Sequence, residues 1–62
     1  MNLKTFDTMD PVMLMSIVNM KMRDEFGDLD ALARYYEIDK DKLIARLAAA
    51  GFDYLPDARQ FR

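Results

Sequence analysis

Residues 28–51 read DLDALARYYEIDKDKLIARLAAAG, and this stretch decides the fold. Leu29, Leu32, Ala33 and Tyr36 recur at i, i+3, i+4 and i+7, the spacing of one helix face. Asp28 stands just before them and suits the cap of a helix over about 29–37. Asp39 repeats the arrangement for a helix over about 40–50. Its core face is Leu43, Leu47 and Ala50, with Ile44 and Ala48 beside it. Gly51 fits the left-handed position that ends such a helix, and Phe52 is placed for the apolar contact that accompanies a glycine cap. Ile38 is an isolated apolar residue in the connection.

Upstream, Asp10-Pro11 starts another helix. The carboxylate can accept from free N–H groups, and proline lacks the N–H that would go unpaired at the first helical position. This helix is expected through about Phe26, with Gly27 ending it. At about 100° per residue, Ser16, Asn19 and Arg23 form a narrow polar stripe. One edge of the rest carries Met13, Ile17 and Met20. The other carries Leu14, Met15, Val18, Met22 and Phe26. An apolar arc this wide predicts packing on two sides, and in so short a chain the second side points to another subunit.

Downstream, Phe52 and Tyr54 alternate, Pro56-Asp57 suits the centre of a type I turn, and Phe61 follows. The pattern predicts a short β-hairpin over about 52–62, held by burial of its aromatics, because an isolated hairpin is marginal. Residues 1–9 show no period and form an N-terminal arm, expected to be partly ordered, in which Leu3, Phe6 and Met9 are the residues able to pack on the body.

The 62 residues allow one small domain. There is no Cys and no His, so neither a disulfide nor the usual zinc ligands can supplement the core. The hydrophobic fraction of 52% is that of a globular chain. Nine basic side chains face eleven acidic ones, spread evenly, so no segment is a basic patch for nucleic acid or an anionic membrane. The longest apolar run near the start, Val12 to Met15, is too short for a membrane span or a signal peptide, and a soluble cytoplasmic protein is the expectation.

Catalysis has little to work with. The familiar Cys–His and Ser–His pairs are excluded, and Ser16, the only serine, has no local base. Asp28/Asp30 and Asp39/Asp41 form D-x-D pairs. They lack the further ligands, central Gly and distal Glu of a calcium loop, and they sit where acids favour helix starts. No catalytic, cofactor-binding or metal site is expected, and no cofactor.

The region from Leu32 to Leu47 resembles a helix-turn-helix unit, and the Gly-aromatic exit with its hairpin resembles the wing of a winged-helix domain. Such turns often place Gly where Glu37 stands. The start of the third helix carries Asp39 and Asp41 among its lysines, and these would oppose phosphate contacts. A second resemblance spans residues 10–62. Asp10-Pro11 followed by MLMSIVNMKMRDEF, then Leu29 to Leu32, Ile38 to Leu43, Gly51 to Tyr54 and Arg59 to Arg62, resembles the short bacterial proteins of the domain of unknown function 4250 family. That resemblance implies a bacterial origin and a shared fold, and it implies no activity.

The expected fold is mainly α: three helices with a short C-terminal hairpin, helix-turn-helix-like and winged-helix-like. The expected function is a non-enzymatic interaction module that self-associates as a homodimer, or binds another protein, through its apolar first helix. Met13, Leu14, Ile17, Met20 and Tyr35 are the candidate self-interface. The methionines of the first helix are read first as core filling plus a self-interface, since an apolar stripe at helical spacing is usually core, and only second as an adaptable surface for varied apolar partners. The alternative is a DNA-binding accessory domain presenting Lys40, Lys42, Arg46, Arg59 and Arg62.

Overall fold

The computed structural model describes residues 3–62, the side chain of Lys4 excepted, so residues 1–2 of the arm lie outside the described residues. Three helices and a two-stranded antiparallel hairpin follow one another in the expected order.

Helix α1, Pro11–Lys21, starts where Asp10 accepts from the Met13 N–H at 3.0 Å. It runs on into a π turn, Met22–Phe26, in which Gly27 N–H donates to the Met22 carbonyl at 2.7 Å. Gly27, at φ 80°, ends the run in the left-handed conformation that glycine adopts most easily. The expected helix over 11–26 is therefore one continuous run whose last turn is wider than α.

Helix α2, Leu29–Tyr36, begins at Asp28, which accepts from Ala31 N–H at 2.8 Å. Helix α3, Lys40–Ala49, begins at Asp39, which accepts from Asp41 and Lys42 N–H. Both helices end in paired 6→1 and 5→2 bonds. At α3, Phe52 N–H reaches the Leu47 carbonyl and Gly51 N–H the Ala48 carbonyl, each at 2.9 Å. At α2, Ile38 N–H reaches the Ala33 carbonyl and Glu37 N–H the Arg34 carbonyl. Glu37 itself takes the left-handed conformation there, at φ 57°. Ile38 is thus the residue after a left-handed cap, packed against the core.

Strands β1, Tyr54–Leu55, and β2, Gln60–Phe61, pair with Tyr54 opposite Phe61 and Leu55 opposite Gln60. The connecting turn is set one residue later than expected. Arg59 N–H donates to the Pro56 carbonyl at 3.3 Å, so Asp57 and Ala58 are its central residues and Pro56 opens it. Arg59 then adopts φ 52° to rejoin the strand.

The core gathers Leu14, Val18 and Met22 from the α1 run, Leu29 and Leu32 from α2, Leu43 and Leu47 from α3, and Phe61 from β2. Leu3 and Phe6 join it from the arm, which forms a 3₁₀ segment over Leu3–Thr8 kinked at Thr5. The described part of the arm is therefore a structural element. The two residues contribute full-sized side chains to a core that a chain of this size otherwise struggles to fill.

Candidate interaction surface

Around α1 the side chains sort by azimuth. Leu14, Val18 and Met22 are buried, with Met15 and Ile17 half-buried on either side. The opposite side carries Val12, Met13, Ser16 and Met20, all exposed. The three apolar members keep 56%, 57% and 44% of their surface in solvent. Residues 11–20 contain no charge, so the face is neutral from Pro11 to Met20. It is bounded by Asp10 at the start and by Lys21 and Arg23 at the end. Lys21 is bonded to Glu25 at 2.7 Å, a hydrogen bond that raises its pKa above the ordinary value. Arg23 pairs with Asp24 at 3.0 Å, which lowers the Asp24 carboxyl below its ordinary value.

The polar stripe expected on α1 is broken. Ser16 and Arg23 are exposed, but Asn19 is half-buried and bonds the backbone of Phe61 at both its amide atoms. Met13 and Met20, both expected on one edge of that stripe, share the exposed face with Ser16. Val12 belongs to this face and was absent from the expected set. Its signal was in the sequence, since it lies only about 40° around the helix from Ser16.

Three members of the expected self-interface lie off this exposed face. Leu14 is wholly buried in the core of its own chain and is unable to contact a partner, because it shares the inward face of α1 with Val18, one turn on. Ile17 is half-buried against the core and borders the exposed face. Tyr35 is 69% exposed and leans on Phe26 and Tyr36, with ring centres 5.2 and 5.0 Å away. It stands on α2, with its ring against Phe26 of the π turn that follows α1.

The five basic residues of the alternative surface are divided among different tasks. Lys40 pairs with Asp30 at 2.7 Å and ties α3 to α2, which raises the Lys40 pKa and lowers that of Asp30. Arg46 is half-buried and turns onto the arm, where its Nη2 donates to the Met9 carbonyl at 2.9 Å. Arg46 therefore leaves the outward face expected of it, because the arm offers a carbonyl beside α3. Lys42, Arg59 and Arg62 are exposed.

A cleft of about 400 Å³ opens between the end of α1 and the hairpin turn, lined by Asn19, Met22, Arg23, Gly27, Ala58, Arg59 and Gln60. Its polar groups are largely engaged, Asn19 by Phe61 and Arg23 by Asp24. Asp28, Asp30, Asp39 and Asp41 act as caps, a first-turn acid and an ion-pair partner. Among the described residues no group of three or more His, Cys, Asp or Glu side chains could hold a metal ion. No described helix is long and apolar enough to cross a membrane.

No curated protein and no solved structure matches the chain. A family model described as a domain of unknown function (DUF4250) matches residues 8–61, which takes in all three helices and the hairpin, so the chain belongs to the DUF4250 family.

Proposed function

We propose that this protein is a non-enzymatic, cytoplasmic interaction module that self-associates through the exposed face of α1. The observation that carries this is the neutral surface of Val12, Met13, Ser16 and Met20, in which large apolar side chains stay about half exposed. Most exposed apolar residues are scattered singly, whereas these lie together on one side of one helix.

Magnitudes make the association weak. Burying the exposed half of a Val or Met side chain is worth about 0.8–1.5 kcal/mol, so six of them across a dimer give about 5–9 kcal/mol. Association costs about 4 kcal/mol or more. Eleven residues of helix are about 16 Å long and 10 Å wide. That is small beside the roughly 800 Å² that each partner contributes to a standard interface. A reversible monomer–dimer equilibrium follows.

Light scattering from micromolar to millimolar protein tests this. The weight-average mass should rise with concentration, and Met13→Glu should abolish the rise without unfolding the chain. The alternative of duplex DNA binding has less support, since Lys40 and Arg46 are engaged within the chain. A DNA complex that weakens steeply with salt, paired with a mass that stays monomeric, would replace the present reading.

A further inference from the structure

The arm lies along α3, and its fit there is incomplete at one atom. Leu3, Phe6 and Met9 recur every three residues, which sets them on one side of the arm. Leu3 and Phe6 are buried and Met9 is half-buried, whereas Thr5, Asp7 and Thr8 are exposed. The buried pair shares the core with Leu43 and Leu47 of α3. The family match takes in α3 and starts after Leu3 and Phe6, so the seat belongs to the family domain and these two covering side chains lie outside it.

Arg46 marks the end of this seat. Its Nη2 donates to the Met9 carbonyl at 2.9 Å, while its Nε is buried and has no hydrogen-bond partner among the described residues. The Nε–H and one Nη2–H of a guanidinium point the same way and together match the two oxygens of a carboxylate. Arg23 uses this same edge on Asp24, at 3.0 and 3.4 Å. A single carbonyl leaves half of the Arg46 fork empty, and a buried N–H without an acceptor is costly. We infer that the seat of the arm is a docking site for the C-terminal end of another polypeptide, one with Leu and Phe six and three residues before its terminal carboxylate. The carboxylate takes the place of the Met9 carbonyl and gives both Nε and Nη2 an oxygen. A chain end fits because the present acceptor is a main-chain carbonyl. A carboxylate on that same carbon leaves the side chains where Leu3, Phe6 and Met9 now sit.

The arm is a displaceable occupant. Two buried side chains and the Arg46 bond hold it, and ordering costs entropy at every residue from Leu3 to Met9. Local opening begins in segments anchored this lightly. A tethered segment acts at an effective concentration in the millimolar range. A separate peptide making only the arm's own contacts therefore half-displaces it at millimolar concentration. Charge-assisted hydrogen bonds are about twice as strong as neutral ones, and filling Nε removes an unpaired donor. The terminal carboxylate should therefore lower that midpoint about tenfold. The site is on α3 and does not depend on self-association through α1.

The experiment titrates the acetylated peptide LKTFDTM, the sequence of Leu3–Met9, into full-length isotope-labelled protein and follows the protein's amide and Arg46 Nε–H resonances. The peptide is used with a free C-terminal carboxylate and as the C-terminal amide, and circular dichroism checks that each protein is folded. The free-carboxylate form should displace the arm at about tenfold lower concentration than the amide and should shift the Arg46 Nε–H resonance. The same peptide with Ala in place of Phe should bind about tenfold more weakly or less. In Arg46→Lys, which keeps the charge and loses the fork, the two forms should bind alike. Equal midpoints for the two forms on the wild-type chain, or no displacement by either up to about 10 mM, would overturn the proposal. A folded Arg46→Lys chain that still prefers the carboxylate about tenfold would overturn it too. If Arg46→Lys does not fold, the wild-type comparison decides alone.

Discussion

The side-chain amide of Asn19 closes two hydrogen bonds on the backbone of Phe61, donating to its carbonyl at 3.0 Å and accepting from its N–H at 2.8 Å. Asp53 and Arg62 exchange both of their backbone bonds, so the neighbouring pair, Tyr54 and Phe61, is the one whose polar groups turn away from each other. Those of Phe61 face α1. Asn19 thus supplies what a third strand would, and it seats the Phe61 ring in the core. Asn19→Ala leaves a donor and an acceptor unpaired and should cost about 1–3 kcal/mol of unfolding free energy. Asn19→Asp should cost more at neutral pH, since a carboxylate faces the Phe61 carbonyl and has no proton to donate. Protonation gives the carboxyl a donor again, so the difference from wild type should shrink as pH falls. Urea titrations across pH measure both variants.

Gly51 sits at φ 93°, with no atom within 4 Å of where a Cβ would stand. Space is therefore no obstacle to Gly51→Ala, and the backbone alone sets the cost. We expect a loss of about 1–2 kcal/mol, the usual difference for an L-residue held left-handed. Gly27→Ala, at φ 80° and equally uncrowded, should lose a similar amount. Thermal melts of the two variants check this, and a change near zero would mean that the chain relaxes out of these caps.

The Asp30–Lys40 pair predicts a pH window. The Lys40 hydrogen bond lowers the Asp30 pKa from 3.8, so this stabilisation is present above that value and is lost as pH falls through the lower folded value. Lys40 is raised from 10.5 by the same contact, so its share is present below 10.5 and is lost as pH climbs past the folded value. Both groups are exposed and the effect is small. Asp30→Asn should slightly flatten the acid limb of the melting-temperature profile relative to wild type and should reduce the salt dependence of the plateau.

The arm depends on two buried side chains and one guanidinium. Phe6→Ala removes a core ring and should cost about 3–5 kcal/mol. Arg46→Ala removes the donor to the Met9 carbonyl and should cost about 1.5–3 kcal/mol. Amide exchange around Thr5–Met9 should rise in Arg46→Ala before the helices are affected.

The helices were legible because their signals are local. Asp10, Asp28 and Asp39 are capping residues at three predicted starts, and Gly27 and Gly51 follow two predicted ends. The glycine that helix-turn-helix turns often carry at the position of Glu37 was the one sign of its left-handed conformation, since a Glu itself does not announce it. The turn register also escaped, since Pro56-Asp57 suits either alignment until the Leu55–Gln60 pairing selects one. The site divided in the same way. The helical period places Met13 and Met20 on one side of α1, and both are exposed there. Leu14 was misplaced, and the tasks of Asn19 and Arg46 were hidden, because they depend on partners 42 and 37 residues away.

Self-association through α1 is most directly tested by sedimentation equilibrium of the full chain from micromolar to millimolar concentration, with Met13→Glu run beside it. A mass rising from that of one chain, 7.3 kDa, toward twice that value in the wild type, and fixed at one chain in Met13→Glu, is the predicted result. A wild-type mass that stays at one chain throughout, or a Met13→Glu chain that dimerises as readily, would contradict it.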